Sequence, residues 1–247
     1  AETEARTGDD PEQRSEDSQW SLSGGLMYLA DNGLAPYVSY SESFQPLLAT
    51  ESDGGLYEPL EGRQFEVGVK YAPVWFDGYL SAAAFDLAEK NSITQEGAQT
   101  VQEGEKESRG FELEGNAYLT NDWQVTLAYT YTDAEDKEEA TLNQLALIPR
   151  HMAAFWTDYD LSNWLPGLKV GGGVRYNGES AGHSSSGATT LTVPSYTVAD
   201  LMARYDFSQN WSAQVNVNNL TDKEYVASCD YYCYYGESRS VIGSLSY

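Results

Sequence analysis

The chain has 247 residues, with 38 Asp and Glu against 14 Lys and Arg and a formal net charge of −24. That balance excludes a nucleic-acid partner, because nothing here could neutralise a row of phosphates. It reads as solvated acidic loops, with a preference for a neutral or cationic ligand, or for divalent cations at a cell surface, as the sharper alternative. No run of about 18 or more apolar residues occurs, so no transmembrane helix is available.

Residues 1–18 are polar and acidic and lack the apolar core of a signal peptide. The expectation is that a leader was removed or that the chain starts in mid-protein. From residue 20 onward the pattern alternates with period two, the strand signal. In "QFEVGVKY", Phe65, Val67, Val69 and Tyr71 share one face, and Glu66, Gly68 and Lys70 the other. In "GFELEGNAYL", Phe111, Leu113, Ala117 and Leu119 oppose Glu112, Glu114, Asn116 and Tyr118. In "WQVTLAYTYT", Val125, Leu127, Tyr129 and Tyr131 oppose Thr126, Ala128, Thr130 and Thr132. "DAEDKEEATLNQLAL" has helical composition but lies between strands, where it makes at most a short helix. Farther on, Leu168, Val170, Val174 and Tyr176 oppose Lys169 and Arg175, and Val215 and Val217 oppose Gln214, Asn216 and Asn218. The last strand sets Val241, Leu245 and Tyr247 against Ser244 and Ser246.

The connections alternate. Short turns fall at 31–33, 73–78, 120–122, 162–167 and 208–210, with long polar loops at 46–61, 91–107, 133–149, 178–193 and 228–238. A β-sandwich would also alternate, but its strands are usually about 5–6 residues long and these are longer. Short turns on one rim and long loops on the other are the layout of an outer-membrane barrel, apolar outside and polar within. Trp20, Trp123, Trp156 and Trp211 near strand ends fit interfacial girdles. The count is about eleven antiparallel strands. With the long loops outside, residues 1–18 become part of an outer loop and residues 19–247 a C-terminal portion of a larger barrel. Alone that portion would leave two unpaired edges, which lipid does not tolerate.

The stretches "DNGLAPYVSYSESFQP", "GRQFEVGVKY", "ESRGFELEGNAYLT" and "NVNNLTDKEYVASC" together resemble TonB-dependent ferric siderophore receptors, and among them the ferrichrome-type hydroxamate receptors. The resemblance implies a 22-stranded barrel of the bacterial outer membrane, filled by an N-terminal plug whose TonB box couples to the inner membrane. Neither plug nor TonB box is visible in this sequence. It implies import of a ferric siderophore bound between plug and outer loops, with no cofactor and no covalent chemistry. Outer-membrane lipid and lipopolysaccharide are further partners, and a phage or bacteriocin could use the outer loops. Thr221 stands where the family often has Phe, and Tyr247 falls two residues short of the usual terminal aromatic, so a couple of residues are expected to follow. A corrinoid or haem receptor, a passive porin-like barrel and an outer-membrane hydrolase built on Ser180 and His183 are the alternatives.

Cys229 and Cys233 pair most simply as a disulfide in an oxidising compartment, closing a ring short enough to contribute only about 2 kcal/mol. The ferrichrome-type receptors often carry a Cys pair with aromatics beside it in the last outer loop. Hydroxamate complexes are compact and nearly neutral, and tyrosines offer rigid amphipathic area and hydroxyl donors. Tyr231, Tyr232, Tyr234 and Tyr235 are therefore the candidate ligand contacts, followed by Phe44 and Tyr57. A catecholate complex is a trianion and would want clustered Arg or Lys, which the loops lack. His151 and His183 have no partner at metal-ligand spacing and read as solvated loop histidines.

Overall fold

The computed structural model describes residues 2–5, 13–16, 19–47, 57–96, 99–137, 142, 144–184 and 190–247. Strands β1 (Glu2–Ala5) and β2 (Gln13–Glu16) form a small antiparallel hairpin. The main sheet has eleven antiparallel strands. They are β3 (Ser23–Met27), β4 (Leu34–Gln45), β5 (Leu60–Tyr71), β6 (Gly78–Glu96), β7 (Gln99–Thr120), β8 (Trp123–Asp136), β9 (His151–Asp160), β10 (Leu168–Asn177), β13 (Tyr196–Asp206), β14 (Ser212–Asn218) and β17 (Ser240–Ser246). Two further hairpins interrupt the sequence, β11 (Ser180–His183) with β12 (Thr190–Val193), and β15 (Val226–Asp230) with β16 (Tyr232–Tyr235). Each strand of the sheet pairs with the next sheet strand along the chain, and among the described residues β3 and β17 do not close onto each other. Among those residues there is no helix, including the part of 133–147 that is described.

The register turns the alternation into two chemically distinct faces. One rung runs Val38, Val67, Ala84, Phe111, Tyr131. The next apolar rung toward the short turns runs Pro36, Val69, Ala82, Leu113, Tyr129, Ala153 and Tyr176. The opposite face is polar and knits itself together: Tyr37 donates to Glu66 (2.7 Å), Asn116 to Thr126 (2.8 Å) and Gln214 to Asn216 (3.0 Å). A ten-residue strand rises about 33 Å, enough for an apolar band about 25 Å tall at the usual tilt.

All five expected short turns lie on one rim. The first needs Gly33 in particular. Its φ of 87° suits glycine, and a Cβ there would meet the Ala72 carbonyl oxygen and the Pro73 Cα at 2.6 Å. The other rim departs from expectation at 91–107. There β6 and β7 keep pairing as far as Glu96↔Gln99, through bulges around Ser92. The ladder needs no apolar face once both faces meet water, so this hairpin loses its alternation but not its hydrogen bonds. Trp156 departs as well. Phe155 and Thr157 take the apolar face, and Trp156 lies on the polar one, donating to Asp158 (3.0 Å) across the space left by Gly171 and Gly173. Trp123 and Trp211 do sit at the short-turn rim, Trp211 in a cluster with Phe207 and Tyr247.

Candidate functional site

The last long connection, residues 219–239, rises from a polar anchor. Asn219 is 2 % exposed. Its side chain donates to the carbonyls of Lys223 (2.9 Å) and Glu237 (3.0 Å) and accepts from the Lys223 amide (2.9 Å). Its backbone N–H donates to Asp200 (2.9 Å), which Arg175 clasps through two nitrogens at 2.8 and 3.2 Å. One asparagine thereby satisfies both arms of the loop, which is why "NNL" ends β14 and a loop begins.

Above this anchor stands the β15–β16 hairpin. Cys229 and Cys233 face each other across it and are joined by a disulfide, with Cα atoms 4.0 Å apart. Tyr231 forms the tip, with φ 58°. Tyr231, Tyr232, Tyr234 and Tyr235 are 51, 72, 63 and 82 % exposed, so one short hairpin displays four rings, two within the disulfide-closed loop and two on the strand just after it. Tyr225, at the base, packs at a tilt against Tyr196 with centroids 4.2 Å apart, and burial first, then Tyr196, pushes its phenol pKa up.

The hairpin is not free-standing. His183 of β11 receives the Tyr231 amide on its carbonyl (2.7 Å), donates its own amide to Asp230 (2.8 Å), and places Nδ1 2.9 Å from the same carboxylate. Its ring stacks on Tyr231 at 5.6 Å. Gly182 lets the strands touch, since a Cβ there would meet the Cys229 carbonyl oxygen at 1.9 Å. The described parts of two long connections, 178–184 with 190–195 and 219–239, are thus clipped together.

His183 is accordingly not a solvated loop histidine. It is paired through the chain to Asp230, 47 residues away, which no local pattern signals. His151 also differs: it opens β9 on the apolar face and sits 2.9 Å from the Tyr129 hydroxyl, beside Tyr131. Ser180 and His183 are three residues apart on one strand and so point to opposite faces. Tyr57 is 4 % exposed. Phe44 lies on the apolar face of β4, opposite Glu61, in a cleft with Trp20 and Tyr40. The four tyrosines share the β15–β16 hairpin, and Phe44 and Tyr57 lie elsewhere. Sequence reasoning missed Asn219, Asp230, Gly182 and Tyr225.

On the apolar side, toward the long-loop rim, charges replace the apolar residues. Arg109 pairs with Asp86 (2.7 Å) and Glu107 (3.3 Å), Lys137 with Glu107 and Glu135 (3.1 Å each), and Arg150 with Asp133 (2.8 Å). This belt forms the upper border of the apolar band.

Residues 2–220 match the family model described as "TonB dependent receptor-like, beta-barrel". The chain belongs to the TonB-dependent receptor family. That is a family of receptors and transporters and not of enzymes. Over 239 residues the chain is 41 % identical to the ferrioxamine B receptor of Salmonella typhimurium, covering 92 % of this chain and 34 % of that protein. Over 244 residues it is 41 % identical to the ferrichrome outer membrane transporter/phage receptor of Escherichia coli, covering 94 % and 32 %. The pyoverdine outer membrane receptor of Pseudomonas aeruginosa, solved bound to pyoverdine, superposes with a TM-score of 0.83 at 27 % identity, over 97 % of this chain and 37 % of that one. This TonB-dependent receptor chain therefore spans about a third of the length of the relatives it matches.

Proposed function

We propose that the chain is the C-terminal wall and rim of an outer-membrane receptor that binds a ferric siderophore, of hydroxamate type by preference, and imports it by TonB-coupled transport. The observation that carries the reading is the disulfide-closed hairpin, which presents Tyr231, Tyr232, Tyr234 and Tyr235 at the long-loop rim. It stands in a chain 41 % identical to ferrioxamine B and ferrichrome receptors. Exposed phenols on a stiff loop give a nearly neutral ferric complex broad contact and hydrogen-bond donors at low entropic cost. The energy-coupling plug and the strands that pair with β3 and β17 belong to the remainder of the protein, because open sheet edges are not tolerated in lipid. The hairpin of β1 and β2 then belongs to a long outer loop, the rest of 1–18 lying outside the described residues. The charged belt lies at headgroup level, where it meets lipopolysaccharide, and the same rim is what a phage or bacteriocin would grip.

The test is a tryptophan-fluorescence titration of the full-length receptor with a ferric hydroxamate and a ferric catecholate. Saturable quenching by the hydroxamate, weakened by Tyr232→Ala and Tyr235→Ala together, is the expected result. No response to either complex would remove the siderophore reading and move attention to corrinoid or haem. Uptake that survives collapse of the proton motive force would make the barrel a passive pore.

A further inference from the structure

Among the four tyrosines of the β15–β16 hairpin, Tyr231 alone has a positive φ, 58°. That is the left-handed region, which a bulky side chain rarely adopts. A glycine would close this tip with less strain, so the ring is kept there against the preference of its own backbone. What holds it is another loop. The Tyr231 amide donates to the His183 carbonyl (2.7 Å), and its ring stacks on the His183 imidazole with centroids 5.6 Å apart. His183 donates its own amide (2.8 Å) and its Nδ1–H (2.9 Å) to the carboxylate of Asp230, the residue just before the tip. A carboxylate only accepts, so Nδ1 is the donor. One histidine thus touches the backbone and ring of Tyr231 and the side chain that precedes it.

Strand β11 gives His183 a fixed base. It pairs in register with β12, the buried Val193 lying opposite Ser180, and its Ala181 carbonyl accepts the Leu147 amide (2.8 Å). Gly182 then lets it close on the Cys229 carbonyl. The His183 side chain is only 20 % exposed, whereas Tyr231 is 51 % exposed, the least of the four tyrosines. The imidazole takes one face of the ring, and the rest of the ring is what a ligand can meet. We propose that His183 is a positioning residue for the binding rim: it sets the orientation in which Tyr231 receives a ferric hydroxamate, so that recognition is governed from a loop other than the one bearing the tyrosines. The inference rests on the reading of the tyrosine hairpin as the ligand contact. A side chain ordered before the ligand arrives spares the complex that entropy, worth roughly tenfold in affinity. His183 does this through Tyr231 and Asp230, without touching the complex.

The experiment titrates the full-length receptor with the ferric hydroxamate of the titration above, in the parent, His183→Ala, Tyr231→Ala and the double variant. His183→Ala is expected to raise Kd about tenfold. Once Tyr231 is alanine it should add less than about twofold, because its effect runs through that ring. His183→Asn keeps an N–H donor in place of Nδ1 and His183→Phe keeps a ring against Tyr231, so each should recover part of the loss. Should His183→Ala fail to fold, these two variants carry the same cycle with Tyr231→Ala. Without ligand, hydrogen exchange of β15 and β16 should quicken in His183→Ala while β14 and β17 stay protected. An equal loss with and without the Tyr231 ring would overturn the positioning role, since His183 would then act on the complex directly or through the fold. An unchanged Kd in His183→Ala would overturn it too and, as the parent binds, leave the hydroxamate reading standing. No saturable response in the parent would overturn both.

Discussion

The wall and the rim of this sheet are built on different principles. Along the wall, each strand between the edge strands β3 and β17 is held by a backbone ladder to both neighbours, and side chains only have to be apolar on one face and polar on the other. At the rim, a few named side chains decide the geometry: Asn219 under the loop, the Cys229–Cys233 bond across it, and the His183–Asp230 pair beside it. The lesson is that a substitution in the wall matters by its polarity class, and one at the rim by its identity.

The sharpest way to break this contrast is Leu127→Arg. Leu127 lies on the apolar face between Gly115 and Phe155. A cation at that depth should cost about 2–4 kcal/mol of barrel stability, whereas Thr126→Arg on the polar face should leave it nearly unchanged. Denaturant unfolding in a bilayer reads both, and equal costs would erase the assignment of faces.

Next in size comes Asn219→Ala. It strands two carbonyls and one amide, and should cost about 1–3 kcal/mol, confined to residues 219–239. Hydrogen exchange of that loop should rise while β14 and β17 stay protected. Protection lost throughout the sheet would mean that the anchor belongs to the wall. Replacing both cysteines, Cys229→Ser with Cys233→Ser, should loosen the hairpin by about 2 kcal/mol in the chain-entropy account. It should reduce ligand affinity through the tyrosines without shifting the unfolding of the barrel.

Smaller effects refine the picture. The half-buried Tyr225 phenol is raised above its ordinary value of about 10. Its neutral form therefore favours the folded loop: that contribution is complete below about pH 10 and is lost as pH rises through the folded value. A tyrosinate absorbance titration, parent minus Tyr225→Phe, should show ionisation later than that of the exposed tyrosines, and coincidence with them would remove the buried environment. Smallest of all, Arg109→Ala should leave barrel stability unchanged, because its ion pairs are exposed and screened. A measurable loss would promote the belt from border to structural element.

How much of this was legible in the chain follows the same division. The faces of β5, β7, β8 and β10 were readable because period two is a local signal and a sheet with one apolar and one polar face keeps it over long runs. The turns were readable because Gly33 and its counterparts satisfy local backbone demands. The extension of β6 and β7 was not, since a hairpin in water on both faces carries no hydrophobic period. Trp156 was misplaced because a lone aromatic does not announce its face: the glycines that admit it, Gly171 and Gly173, lie on another strand. The tyrosine hairpin was visible as composition. Its clasp to His183 was not, because the contact joins two loops through Asp230, and nothing near either residue encodes the other.

The strict neighbour pairing of the sheet has a consequence for how such a wall is assembled. Every rung joins strands adjacent along the chain, or separated only by a hairpin of their own. Ring closure between such partners is entropically mild, and hairpins form on the scale of about 1–10 μs. The sheet can therefore be laid down one hairpin at a time, each new strand templated by the last. In the larger barrel proposed above, only the closure that brings β17 to the first strand would demand contacts remote in sequence, so the slow step of biogenesis should lie at that edge, where insertion machinery would have most to gain by holding it.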